Sequence, residues 1–92
     1  MVRITRRGKR AWVTFTLGGD GFESARIKGE WNGWQDEAMK RKRDGDFYIV
    51  KVLPVGERFE FGYLVDEGRW MNDEALPTTG SPFGSTNSVL TT

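Results

Sequence analysis

The stretch "FYIVKVLPVGERFEFGYLVDEGRWMN", residues 47–72, decides the architecture. "FYIVKVL" (47–53) is apolar everywhere but at Lys51, which reads as a central strand with Tyr48, Val50 and Val52 as its inward set. "LPVGE" (53–57) is a turn, because Pro54 cannot donate to a strand ladder. "RFEFGYLV" (58–65) then alternates Phe59, Phe61, Tyr63 and Val65 against Arg58, Glu60, Gly62 and Leu64. "DEGR" (66–69) is a tight hairpin with Gly68 supplying a positive φ, and "RWMN" (69–72) starts a short return strand.

The same grammar extends in both directions. "AWVTFTL" (11–17) sets Val13, Phe15 and Leu17 against Trp12, Thr14 and Thr16, and "ESARIKG" (23–29) sets Ala25 and Ile27 against Ser24, Arg26 and Lys28. "RDGD" (43–46) is a second hairpin turn and "NSVLT" (87–91) a last strand. Residues 73–86, with Pro77, Gly80, Pro82 and Gly84, read as a long surface loop. No helical period interrupts this pattern. The expectation is an all-β sandwich of six to eight short antiparallel strands, with a basic arm at 1–10 and a single domain at 11–92.

Composition narrows the chemistry. The chain of 92 residues is long enough for one modest core, and it has neither Cys nor His. That removes disulfides, thiolates, the commonest general base and the commonest metal ligand, so no metal and no cofactor is expected. Four Trp, six Phe and two Tyr supply the apolar mass instead. There is no signal-peptide h-region and no span of about 20 apolar residues, so a soluble, cytoplasmic protein is expected. Net charge is only +1, but residues 1–43 hold eleven Lys/Arg to five Asp/Glu, and residues 44–92 hold three to eight. Arg3, Arg6, Arg7, Lys9, Arg10 and the run "KRKR" (40–43) make that asymmetry, which reads first as a solvated arm and a charged loop.

An enzyme is not expected. The carboxylate pairs Asp36–Glu37, Asp66–Glu67 and Asp73–Glu74 are neighbours in turns or on strands, where adjacent side chains face water or opposite sides. Two carboxyls working across one cleft need about 5–9 Å between them and a shared face. The aromatics are more informative. Trp12, Phe15, Phe59 and Phe61 sit in strands and read as core, as does Trp31 at a strand end. Trp34, inside the polar turn "NGWQDE", and Trp70, directly after "DEGR", have no alternation to carry them inward. Such rings suit recognition: a sugar packs its C–H face on an indole while its rim hydroxyls take hydrogen bonds, and a nucleobase is the rival partner.

The order of motifs carries a resemblance. The residues "IKGEWNGWQDEAMKRKRDGDFYIVKVLPVGERFEFGYLVDEGRW" and "FGSTNSVL" resemble the glycogen-binding domain of AMP-activated protein kinase β-subunits. They are similar also to the early set domains of isoamylases and branching enzymes, the family-48 carbohydrate-binding modules. A strand ending in Gly, an aromatic-Asn-x-Trp turn, Leu-Pro-x-Gly, an aromatic strand ending in Val-Asp, a Trp and a late Asn recur in that order over about residues 11 to 91.

The resemblance implies an immunoglobulin-like early set sandwich and binding of α-1,4-linked glucan (glycogen, starch or maltooligosaccharide). Trp34 and Trp70 match the family's stacking tryptophans, Asn87 its hydroxyl-binding Asn, and Phe83 and Ser85 the positions beside it. The sequence departs from the pattern at Gly62, where the family has a sugar-contacting Lys, and the turn before Trp70 is one residue longer. Lys51, Arg58 and Arg69 are the candidate replacement donors. The alternative is a protein-interaction module that docks a glucan-active enzyme or regulator through a flat sheet face including Trp12 or Tyr48, without sugar. Nucleic-acid binding through the basic runs ranks third, and no membrane partner is expected.

Overall fold

The computed structural model describes residues 1–19, 21–81 and 84–92. Among them the chain forms β1 (Val2–Arg7), β2 (Arg10–Leu17), β3 (Ala25–Gly29), β4 (Glu37–Ala38), β5 (Lys40–Arg41), β6 (Phe47–Pro54), β7 (Arg58–Val65), β8 (Arg69–Met71), β9 (Thr78–Gly80) and β10 (Thr86–Thr91). A single 3-10 turn, Glu30–Asn32, follows β3. The strands make two antiparallel sheets, β1-β2-β6-β5 and β4-β3-β7-β10-β9, with β8 also paired to β7. No helix among the described residues is long and apolar enough to cross a membrane.

The sheets close on the residues that alternation marks. Val13, Phe15, Ile27, Phe61, Tyr63 and Val65 are fully buried between them. Phe15 meets Phe61 edge-on at 5.0 Å, and Phe61 meets Tyr63 at 5.6 Å in the same way. Burying such a ring contributes about 1.5–3 kcal/mol, so this cluster is the main cohesive element of a chain without disulfides. Trp31 lies against it, 5.3 Å from Phe15, with its ring folded over Gly29, where any side chain would collide with the indole.

Four local expectations are corrected. Along β6 the inward row is Phe47, Ile49 and Leu53; Val50 and Val52 are each 49% exposed. β2 fixes this, because its inward face is unambiguous and pairs Phe15 with Ile49 and Ala11 with Leu53. A strand apolar on both faces carries no register of its own, and a one-residue shift exchanges the faces. For the same reason Trp12, opposite Val52, stands on the outer face at 37% exposure rather than in the core. The segment expected as a basic arm instead supplies β1, zipped onto β2 from Val2↔Phe15 to Arg7↔Arg10. Val2 and Ile4 pack against the core, enough to hold it there. The expected long loop likewise contains β9, paired with β10.

Candidate functional site

The site grows out of a fork in the second sheet. β7 pairs β10 over residues 58–61 and β8 over residues 63–65, so its neighbour changes at Gly62. With Phe61 and Tyr63 pointing into the core, Glu60, Gly62 and Leu64 face outward. Trp70, opposite Leu64, lays its ring diagonally along β7 onto Gly62. A Cβ at Gly62 would stand only 2.5 Å from Trp70 Cε2 and Cη2, and closer still to Cζ2, so any side chain would displace the ring. The indole N–H of Trp70 donates to the Thr86 carbonyl oxygen at 2.8 Å, and Asn72 Nδ2 donates to Thr86 Oγ1 at 2.6 Å. These bonds stitch β8 to the start of β10 and lock Trp70 flat.

Trp34 arrives from the other side. After the 3-10 turn, Gly33 and Trp34 both adopt the left-handed region, at φ 71° and 68°. For a tryptophan this is a strained backbone, costing about 1–3 kcal/mol. It is held by the Trp34 N–H donating to the Gly29 carbonyl at 2.9 Å, and by Asn32 Nδ2 donating to the Gln35 carbonyl at 3.1 Å. Asn32 Nδ2 also reaches Glu37 Oε2 at 3.2 Å, and Glu37 in turn takes Lys51 Nζ at 2.7 Å. The outcome is that the Trp34 and Trp70 ring centroids stand 6.5 Å apart with their planes at 45°. Both rings are half-buried, more sheltered than a polar turn implies.

The two indoles border a cleft of about 540 Å³, lined also by Lys28, Glu30, Glu60, Leu64, Ser81, Ser85 and Asn87. Asn87 is nearly buried, and its Nδ2 donates to Glu60 Oε1 at 3.2 Å. Arg58 Nη1 holds the other Glu60 oxygen at 3.0 Å. The bond from Asn87, then that from Arg58, keep the Glu60 carboxyl below its ordinary range, so it stays an acceptor that orients Asn87. A second hollow of about 1110 Å³ sits by the β7–β8 turn among Gly19, Arg41, Asp66 and Glu67, with no indole facing it.

Of the residues singled out from sequence, Trp34, Trp70, Ser85 and Asn87 are brought together here, and Phe83 lies outside the described residues. None of Lys51, Arg58 and Arg69 lines the cleft. Lys51 braces the Trp34 turn through Glu37 and Asn32, and Arg58 braces Asn87 through Glu60. Arg69, one residue before Trp70, takes the other side of β8 beside Met71.

The lining cation that sequence reasoning missed is Lys28. It is paired across the ladder with Gly62, so it projects from the row where Trp70 lies flat. Its neighbour Arg26 is committed to Asp36 at 2.7 Å, whereas Lys28 has no ion-pair partner among the described residues. Lys28 and Asn87 flank β7 on the two adjoining strands, about 10 Å apart by strand spacing, with Trp70 between them. The signal was present as alternation in "ARIKG", which puts Lys28 outward, but its facing partner needed the β3–β7 register.

Known proteins bear on this arrangement. Over 84 residues, 91% of its length, the chain is 30% identical to the SNF1-related protein kinase regulatory subunit beta-2 of Arabidopsis thaliana. The human 5'-AMP-activated protein kinase subunit beta-2 is 27% identical over 89 residues, 97% of this chain. The chain spans only 27% and 31% of the length of these two relatives. In fold it is similar to the crystal structure of the enterobactin esterase of Shigella flexneri, with a TM-score of 0.79 over 98% of this chain and 32% of that one. At 11% identity that likeness concerns the fold alone. Residues 12–92 match the glycogen recognition site of AMP-activated protein kinase, and the chain belongs to that family of carbohydrate-binding modules.

Proposed function

We propose that the protein is a non-catalytic module that binds α-1,4-linked glucan across the cleft between Trp34 and Trp70. The observation that carries this reading is the pair of indoles at 6.5 Å and 45°, which offers one ligand two differently inclined apolar faces rather than a flat stack. Trp70 is fixed by its N–H bond to Thr86 and serves as the floor. Trp34 is set by its strained turn and forms the wall. Lys28 and Asn87 supply hydroxyl-binding groups on opposite sides of Trp70, with Ser85 beside Asn87.

A shallow site of two rings and a few polar groups binds at roughly 0.01–1 mM, about −4 to −7 kcal/mol. Retention on a polysaccharide therefore comes from many such contacts or from tethering to an enzyme. By likeness to kinase regulatory subunits, the module acts beside an enzyme rather than as one.

Titrating maltoheptaose while following tryptophan fluorescence and heat tests the reading. Saturable binding that disappears in both Trp34→Ala and Trp70→Ala is expected. Wild-type protein that does not bind, or variants that bind as well, would refute it.

A further inference from the structure

Two charged side chains point into the sandwich rather than away from it. Lys51 on β6 is paired with Val13, and Glu37 on β4 with Ile27, both of those partners being fully buried. Cross-strand partners share a face, so both charged side chains start on the inner side of their sheets. They meet across the gap, Lys51 Nζ to Glu37 Oε1 at 2.7 Å, two residues before the chain crosses at Met39 from one sheet to the other. Neither is more than a third exposed, at 23% and 32%, so water screens this pair less than it would a surface pair.

Stability alone does not call for such a pair. An inward lysine must be desolvated, and two apolar side chains of similar length would fill the gap as well. Inward charges deter edge pairing, which by itself accounts for Glu37 on the edge strand β4. It does not account for the second Glu37 oxygen, which accepts from Asn32 Nδ2 at 3.2 Å while the same nitrogen donates to the Gln35 carbonyl at 3.1 Å. A carboxylate and a carbonyl only accept, so the amide must turn Nδ2 toward both. Asn32 Oδ1 is then left buried without a partner among the described residues, an unfavourable orientation that the two acceptors enforce. Asn32 in turn closes residues 32–35 around Trp34, whose φ of 68° is unfavourable for any residue with a side chain. Released from Asn32, that backbone relaxes toward negative φ and the ring swings away from Trp70.

We propose that Lys51 and Glu37 are positioning residues for glucan: Lys51 fixes Glu37, Glu37 fixes the Asn32 amide, and Asn32 holds Trp34 beside Trp70. By this route the first sheet, none of whose strand residues lines the cleft, sets the pose of one of its walls. The inference rests on the glucan reading for its effect on binding, and on geometry alone for its effect on the Trp34 ring.

Two indoles 6.5 Å apart and inclined at 45° couple their electronic transitions and give a circular-dichroism couplet that needs no ligand. Its loss in Trp34→Ala and in Trp70→Ala assigns it to this pair. The full chain carrying Lys51→Met, Glu37→Met or both should lose at least about half of the couplet and bind maltoheptaose about three- to tenfold more weakly. The double variant should lose no more than either single one, because both act through Asn32. Its urea midpoint should stay at or above that of wild type, since no unpaired charge is left behind. Lys51→Arg, which keeps the charge and the reach, should keep the couplet. No couplet in wild type, a full couplet in the double variant, a couplet lost in Lys51→Arg as completely as in Lys51→Met, or a lost couplet with undiminished maltoheptaose affinity would each overturn the proposal. Because the couplet is read without ligand, it decides the pose of Trp34 even for a wild-type protein that ignores maltoheptaose, a result that refutes the glucan reading alone.

Discussion

Replacing Gly62 by Ala should destabilise the protein and tilt its binding floor, although Ala is ordinarily the better strand residue. Gly62 is not in the left-handed region, so the new methyl adds no backbone strain. At an open strand position the change gains about 0.5–1 kcal/mol of chain entropy. Gly80, whose added Cβ meets nothing within 4 Å, supplies that control. At Gly62 the methyl would sit 2.5 Å from Cε2 and Cη2 of Trp70, where carbon atoms need about 3.5 Å. The ring must lift by about 1 Å or more, which strains or breaks the 2.8 Å bond from its N–H to Thr86.

Overpacking costs about 1–3 kcal/mol and the hydrogen bond about 1 kcal/mol, so the net loss is about 1–3 kcal/mol. With a urea slope of about 1–1.5 kcal/mol/M for a chain of this size, the midpoint falls by about 0.7–3 M. Gly80→Ala should leave it level or raise it. Maltoheptaose affinity should drop about tenfold, or about 1.4 kcal/mol, because the floor no longer lies flat over residue 62. The decisive arm is Gly62→Ala in a Trp70→Ala background, where the clash is gone and the effect should change sign. Equal stability of Gly62→Ala and wild type, or an undiminished penalty without Trp70, would refute the account of Gly62.

Other outcomes follow from the same geometry. Lys28→Ala should weaken maltoheptaose binding about three- to tenfold, the worth of one hydrogen bond of about 0.6–1.4 kcal/mol at a half-exposed site, while leaving the unfolding free energy within about 0.5 kcal/mol of wild type. Trp34→Gly and Trp34→Ala should both abolish binding, but the Gly variant should be about 1 kcal/mol the more stable, since it alone adopts φ 68° without strain. Tyr63→Phe should cost about 1–2 kcal/mol, because the buried hydroxyl donates to Asp73 at 2.9 Å, with calorimetric glucan affinity unchanged. Burial pushes the Asp73 carboxyl up, but bonds from the Met1 ammonium, the Ala75 N–H and the Tyr63 hydroxyl outweigh this and hold it low. A depressed folded pKa gives stability that is full above the ordinary value of 3.8 and lost as pH falls through the lowered one. Acid unfolding curves should therefore show Asp73→Asn with a shallower loss below that pH than wild type.

Much of the fold was legible because β2 and β7 alternate cleanly, and each writes one face of the core into the chain. The turns "RDGD" and "DEGR" mark the hairpins closing onto β6 and β8. β6 was misread because apolar residues on both faces leave its register to its neighbour, and β1 because its two apolar residues look trivial until a partner strand aligns them. At the site, the two outward tryptophans and Asn87 could be named from motif order. Lys28 could not, since what makes it a lining residue is a cross-strand neighbour rather than a chain neighbour.

By itself the sequence determined that this is an all-β module without thiol or imidazole chemistry, whose indoles at 34 and 70 do not belong to its core. Those are statements about local period and residue type, which the chain carries at every position. Only the tertiary structure decided that Gly62 is empty so that Trp70 can lie flat, that Lys28 borders the same row, and that Lys51 faces inward to meet Glu37. Each depends on register between strands far apart in sequence, a quantity fixed by the packing of both sheets and written in neither strand alone.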